Sequence, residues 1–361
     1  MIVTFANCYS SLLLPVFMSE SLPVNPTYPA EQSFFVRRSA MKPTARAWIR
    51  HSAFFLLTLL TTTLGGIVFL HENILNPNIP NPETWKNWIT YVPEFYVKFV
   101  GLAVKTALTQ PAILADGLMF SLSLLAILTA HEAGHYVACR IYGVDATLPF
   151  FIPSPPLVGP GTFGAFIKIV SPIWSRRALF DIGVAGPIAG FIVIIPVSII
   201  ALLTAQPATS ILAEGEKEAL MLNDPLLLRI FAYALNINPN FDAQNPFYFA
   251  AWIGLLVTSL NLIPVGQLDG AHAIFAVFGA KVHKWLGRIA FATMATLALL
   301  GFFWYKSPSG FLYTILLAIM LKVRHPQPED MRPLDYKRLI VAFVTLLIFA
   351  LSFWPFPVTF R

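Results

Sequence analysis

The chain has 361 residues, of which 57% are hydrophobic and 12% charged, with a formal net charge of +6. Soluble domains carry about 25% charged residues, so a chain this apolar reads as an integral membrane protein. The positive balance comes from short Lys/Arg clusters between apolar stretches, the pattern that orients membrane helices, which speaks against nucleic acid as a partner; two cysteines, Cys8 and Cys139, exclude a disulfide framework and a cysteine zinc site.

Residues 1–52 open on a weak apolar run, Leu12 to Phe17, without a basic leader or a small-residue cleavage site. They then turn polar and carry Arg37, Arg38, Lys42, Arg46 and Arg50, a basic tail expected to be disordered that anchors the first span. Apolar stretches at 53–70, 112–131, 180–204, 247–264, 288–305 and 338–356, with a shorter one at 310–322, predict an α-helical polytopic membrane protein of about seven transmembrane helices. With the tail inside, alternation of sides places most of the 24 Lys and Arg residues on inside connections, so the N-terminus is expected inside and the C-terminus outside. The outside connections, 71–111 and 205–246, hold Glu214, Glu216, Glu218, Asp224 and Asp242, and neither is long enough for a sizeable accessory domain. The chain divides into the tail at 1–52, a first helix with its outside connection at 53–111, a core at 112–280 and C-terminal transmembrane helices at 281–361.

The second span contains one charge, Asp116, which faces either a water path or the outer interface, and it closes on His131-Glu132-Ala133-Gly134-His135. Residues four apart share a helix face, so His131 and His135 are able to direct imidazole nitrogens at one zinc ion while Glu132 stands beside it as general base. Two imidazoles and a carboxylate near the hydrocarbon region are costly unless paired or bound, which makes the motif functional by location as well as by pattern. Cys139, one turn on, reads as a small packing residue.

Leu148 to Ile173 is rich in proline and glycine and predicts a membrane-associated hairpin or small sheet, with arms Phe150 to Ile152 and Thr162 to Val170 beside the zinc. A free strand edge there would hold an extended peptide by main-chain hydrogen bonds, or the segment plugs the inner mouth. Arg176 and Arg177 are expected to anchor the next helix at the interface. Gly183, Gly186 and Gly190 recur at near-helical spacing and are expected to pack against the helix that carries the histidines.

A catalytic zinc usually has three protein ligands, and the candidate third is Asp269 in the run Asn261 to Gly270. Pro264 breaks the preceding helix, and Gly266 and Gly270 permit a tight path that turns Asp269 back to the depth of the histidines. Asp269 serves equally well as the cap of a helix starting near Ala271. His272 reads either as an outer partner of the metal ligands or as a plain residue of the helix's first turn.

His131-Glu132-Ala133-Gly134-His135 followed by Asn261-x-x-Pro264-x-x-x-Leu268-Asp269-Gly270, with Gly186-Pro187-Ile188-Ala189-Gly190 between them, resembles the site-2 protease family of intramembrane zinc metalloproteases (M50-like) over about 112–280. The resemblance implies a three-helix catalytic core with one Zn2+ bound by His131, His135 and Asp269, a water activated by Glu132, and Asn261 holding the substrate or the oxyanion. It implies hydrolysis of peptide bonds in or near the transmembrane helices of other membrane proteins, in a bacterial cytoplasmic or plastid membrane. The connection at 205–246 is too short for the PDZ domain that many members carry, and no nucleotide-sensing domain follows residue 356, so a compact form is expected. The competing reading is a transporter or ion path built from buried His, Glu and Asp.

Overall fold

The structure, a computed structural model, describes residues 40–71, 88–205, 220–237, 245–307, 309–323, 325 and 327–360. Most of the expected tail, Cys8, and the acidic residues Glu214, Glu216, Glu218 and Asp242 lie outside the described residues. In chain order the elements are α1 (Ala45–Leu70), α2 (Trp88–Thr109), α3 (Pro111–Ile141), β1 (Phe150–Pro153), β2 (Thr162–Phe166), α4 (Arg176–Leu203), β3 (Leu220–Leu222), α5 (Leu226–Ala234), α6 (Pro246–Asn261), α7 (Asp269–Tyr305), α8 (Ser309–Leu321), α9 (Tyr336–Ser352) and β4 (Val358–Phe360). Among the described residues four helices, α1, α3, α4 and α7, are long and apolar enough to cross a membrane by length and composition. The expectation of seven reaches further, because α6, α8 and α9 have 16, 13 and 17 residues.

Helix boundaries follow local chemistry. The side chains of Thr44, Ser175, Asn245 and Asp335 accept from the first free amides of α1, α4, α6 and α9, which satisfies donors that the helix itself leaves open. Pro111 and Pro246 stand in the first turns of α3 and α6, where a missing N–H costs nothing. Then α6 stops at Asn261, and the chain turns through Pro264 and Gly266, whose φ of +62 suits glycine. A second break falls at Gly279 (φ 83, ψ 177), which divides α7 into a short leading segment, Asp269 to Phe278, and a long one.

The centre of the fold is the packing of α3, α4 and α6. Leu124, Ile127 and Leu128 of α3, Phe191 and Ile194 of α4, and Ala250, Ala251 and Leu255 of α6 share one buried cluster. Small residues bring the backbones close: a Cβ at Gly134 would meet the Ala185 carbonyl oxygen at 2.4 Å, and one at Gly254 would touch Ile127 at 3.0 Å. Buried Cys139 packs beside Ala138, Val144 and Ile167, as its small size leads one to expect.

β1 and β2 form the expected antiparallel hairpin, with Phe150 opposite Phe166, Phe151 opposite Ala165, and a bulge before Pro153. The second arm is shorter than the sequence implies, ending at Phe166, with one further bridge from Ala146 to Ile169. The hairpin lies lengthwise on α1. His51 Nδ1 donates to the Pro149 carbonyl at 2.9 Å, Phe150 packs on Phe54 and Phe151 on Phe55, and at the tip Thr61 Oγ1 donates to the Gly161 carbonyl at 2.7 Å. From His51 to Gly65 the helix rises about 21 Å, and the hairpin follows it over that length.

Two connections hold more structure than their composition suggests. The segment 71–111, expected as an outside connection, contains α2, whose apolar residues are interrupted by Glu94, Lys98 and Lys105. Trp88, Tyr91, Phe95 and Phe99 stack along one face, and Lys98 pairs with Glu94 at 2.6 Å. The segment 205–246 contains α5 and also β3, which pairs with β4 after the last helix. Asp116 accepts from His71 Nε2 at 3.0 Å, tying the end of α1 to the start of α3.

α1 and the hairpin meet closely at two glycines: a Cβ at Gly161 would stand 2.2 Å from the Thr61 carbonyl oxygen, and one at Gly65 would stand 2.8 Å from the Gly161 nitrogen and the Pro160 carbonyl carbon. Gly65→Val is therefore expected to destabilise the fold by about 1–3 kcal/mol, as overpacking does, read as a lower midpoint in thermal unfolding of the detergent-solubilised chain.

Candidate metal centre

Residues far apart in the sequence meet in one buried spot. His131 and His135 are one turn apart on α3, and Asp269 is the first residue of α7. His131 Nε2 lies 3.2 Å from His135 Nε2; the Asp269 Oδ2 atom lies 3.2 Å from the first and 3.3 Å from the second. All three side chains are buried, at 4%, 5% and 6% exposure, and among the described residues they form the one cluster of His, Cys, Asp or Glu whose donor atoms converge as metal ligands do. The alternative of Asp269 as a helix cap is excluded: Leu268 holds the N-cap position, and no side chain caps the N-terminus of this helix.

Donor chemistry and spacing together test what fits here. Bonds of about 2.0–2.1 Å to a tetrahedral ion put neighbouring ligand atoms about 3.3–3.4 Å apart, and the three observed edges match one face of that tetrahedron. Two imidazole nitrogens and a carboxylate oxygen, with a fourth position left for water, suit zinc. His135 is set for this task. Its Nδ1–H donates to the Ile182 carbonyl of α4 at 2.7 Å, which leaves the lone pair on Nε2 facing the cluster.

Glu132, 5% exposed, points into the same region, with the backbone amide of Ile167 beside its carboxylate. Its Oε2 has no hydrogen-bond partner among the described residues, and a buried carboxylate oxygen left open is costly unless the site receives something there. Asn261, the last residue of α6, sets its side-chain amide 3.3 Å from His131 Nε2. All five residues singled out in the sequence, His131, Glu132, His135, Asn261 and Asp269, thus stand together.

Glycines on α4 make the room. A Cβ at Gly186 would lie 2.1 Å from His135 Nε2, and one at Gly190 would lie 3.2 Å from the His131 Cβ. Both face α3 as the spacing predicts. Gly183 differs, since it faces α7, where its Cβ would meet that of His272 at 2.8 Å. His272 is buried, and its Nδ1 is 2.8 Å from His325 Nε2; His325 in turn stacks on Phe275 and lies against His283. Sequence reasoning did not find His325, which sits between α8 and α9 with no motif around it. Nor did it find the Ile182 carbonyl, because a backbone acceptor leaves no mark in residue type.

The family model for peptidase family M50 matches residues 119–302, half of the chain and every residue of this cluster. The chain belongs to peptidase family M50. A rice protein (Oryza sativa subsp. indica) named "Probable zinc metalloprotease EGY2, chloroplastic" is 28% identical over 299 residues, which covers 78% of this chain and 47% of the relative. Its Arabidopsis thaliana namesake is 29% identical over 252 residues, 69% of this chain and 43% of the relative. "Probable zinc metalloprotease EGY1, chloroplastic" of Oryza sativa subsp. japonica is 36% identical over 161 residues, 43% of this chain and 27% of the relative. This M50 chain thus spans about half the length of the curated relatives it matches.

Because a methyl group at position 186 would strike the His135 ring, Gly186→Ala is expected to lower zinc affinity by about tenfold or more, the usual scale when the support of a ligand is lost. Gly101→Ala, with nothing within 4 Å of its Cβ, is expected to retain it; titration of both variants with zinc against a competing chelator checks the pair.

Proposed function

We propose that this M50 chain is an intramembrane zinc endopeptidase that hydrolyses peptide bonds in or beside the transmembrane helices of other membrane proteins. The observation that carries the reading is the convergence of His131 Nε2, His135 Nε2 and Asp269 Oδ2 beside the open Glu132 Oε2. In this reading His131, His135 and Asp269 hold one zinc ion, which when bound supplies Lewis acidity toward a carbonyl and makes water more acidic. Glu132 takes the proton of the attacking water and hands it to the leaving amine nitrogen. The amide of Asn261 reaches the metal-facing side of His131 and serves to hold the substrate or its oxyanion. A closed triangle of donors, rather than groups strung along a passage, favours this reading over an ion path.

The hairpin supplies the place for substrate. β1 is packed against α1, so the outer edge of β2 is left for an added strand, and Ile167, just past β2, sets its amide against the Glu132 carboxylate. An extended segment paired there would present its carbonyls next to the base. Helical substrates hide those carbonyls in i to i−4 hydrogen bonds, so residues that weaken a helix, by about 1 kcal/mol for Gly and 3 for Pro relative to Ala, should favour cleavage.

The proposed topology is seven crossings with the N-terminus inside and the catalytic cluster toward the inner face. It is supported by contacts between element ends: the Met41 amide with Asp145 Oδ1 (2.7 Å) and Arg338 Nε with Asp181 Oδ1 (2.9 Å) at one end of the bundle, and His71 with Asp116 and β3 with β4 at the other. This arrangement lets α6, α8 and α9 cross although they are short. The membrane-protein partners, the lipid bilayer and a plastid or bacterial membrane complete the reading, and the chloroplast location in the names of the relatives supports the plastid side. The division into tail, first helix, catalytic core at 112–280 and C-terminal helices belongs to the same proposal.

Purified chain reconstituted with a model transmembrane substrate is expected to cleave a Gly- or Pro-containing helix and to spare its poly-Leu version. Glu132→Gln should keep the metal and lose cleavage, whereas Asp269→Ala should lose both, and phenanthroline should stop the wild type. Cleavage that survives the chelator contradicts the zinc mechanism. For topology, in a Cys8→Ser background, Lys42→Cys should react with impermeant thiol reagent only from the inside and Tyr233→Cys, at an 89% exposed position, only from the outside. The reverse pattern overturns the placement of the site.

A further inference from the structure

The ligand Asp269 sits at the front of a segment whose far end must also be held. That leading segment of α7 runs from Asp269 to Phe278 and is cut off from the rest of the helix at Gly279, where φ is 83 and ψ is 177. The break removes the amides that would otherwise pair with its last carbonyls, and helix ends of this kind require outside donors. They receive them from one side chain. Arg176, the first residue of α4, donates through Nε to the Ala276 carbonyl and through Nη2 to the Val277 carbonyl at 2.9 Å, with Nη1 directed at the Met331 carbonyl at 3.4 Å.

Arg176 is itself fixed in place. Its amide donates to the Asp330 carbonyl at 2.9 Å, and the Asp330 amide donates to the Trp174 carbonyl at 2.9 Å, so the start of α4 is laced to the segment that precedes α9. The same helix, two turns further on, holds His135 through the Ile182 carbonyl at 2.7 Å. α4 therefore grips one metal ligand directly and the carrier of another by its far end. Between Asp269 and Val277 lies about 12 Å of helix, stiff enough for the position of one end to fix the other. The cation also stands where a helix C-terminus favours positive charge.

We infer that Arg176 is a positioning residue for the metal centre: by capping the broken helix at Ala276 and Val277, it sets Asp269 Oδ2 at bonding distance from the site shared by His131 and His135. The inference rests on the zinc reading given above. It separates Arg176 from its neighbour Arg177, which makes no hydrogen bond to these carbonyls among the described residues. It also revises the role expected from sequence, since the guanidinium is engaged with backbone rather than only anchoring the helix at the interface. Lysine is no substitute, because a single ammonium on a flexible stem does not reproduce a planar fork that meets two carbonyls at once.

The test uses the full chain in detergent, stripped of metal and titrated with Co2+ against a competing chelator, with visible absorption reporting the ligand set. Wild type is expected to bind one Co2+. Arg176→Met should bind about tenfold or more weakly, the scale found when the support of a ligand is removed, with an absorption band displaced toward that of Asp269→Ala. Arg176→Lys should fall between, and Arg177→Met should match wild type in both affinity and band. Affinity and band unchanged in Arg176→Met, with only a lower melting temperature, would overturn the inference and leave Arg176 a structural staple. If Arg176→Met does not purify as a folded protein, Arg176→Lys decides, and wild-type affinity and band in that variant count against the inference. A wild-type chain that takes up no Co2+ contradicts the metal centre itself and removes the basis for this role, an outcome distinct from wild-type binding with unaffected variants.

Discussion

Three polar atoms in apolar surroundings, two imidazole nitrogens and one carboxylate oxygen within 3.3 Å of each other, set the constraint on which the rest of the architecture depends. Each belongs to a side chain less than a tenth exposed, so bulk solvent does little to relieve them. A proton shared among the three would satisfy one contact and leave the others crowded, whereas one cation at the centre satisfies all three together. Bringing them there demands that α3 and α4 approach more closely than side chains normally allow. Gly134, Gly186 and Gly190 permit it, and at Gly186 the space a methyl would fill is the space of the His135 ring.

The same demand accounts for the irregular backbone. A carboxylate delivered from the middle of a continuous membrane helix would project from its side; at the first residue of a helix that begins at the site, Asp269 is instead presented end-on. The chain therefore stops α6 at Asn261, turns through Pro264 and Gly266, restarts at Asp269 and breaks again at Gly279. Backbone carbonyls freed by such breaks need donors from outside the helix. Here the Arg176 guanidinium covers the second break, and the hairpin along α1 brings the Ile167 amide, just past β2, beside Glu132.

Much of the site was legible in the sequence because its chemistry is carried by residue types at fixed helical spacing. His131, Glu132 and His135 declare a metal site by lying on one face of a long apolar helix, and Asp269 stands out as a candidate third ligand between Gly266 and Gly270, just past Pro264. The hairpin was visible in its prolines and glycines, although its second arm ends at Phe166. What escaped was carried by backbone or by distance along the chain. The Ile182 carbonyl that orients His135, the carbonyls held by Arg176, and His325 beside His272 have no local pattern. α2 escaped because Glu94, Lys98 and Lys105 interrupt its apolar residues, and the β3–β4 pair because three-residue strands so far apart carry no signal until the helices between them are placed.

The central claim is that His131, His135 and Asp269 together hold one catalytic zinc. X-ray absorption spectroscopy of the zinc-loaded chain tests it most directly. The account predicts a first shell of nitrogen and oxygen only, at about 2.0–2.1 Å, with the outer-shell scattering of two imidazoles, reduced to one in His135→Ala. A sulfur neighbour at about 2.3 Å, or a spectrum that does not change in His135→Ala and Asp269→Ala, would contradict it.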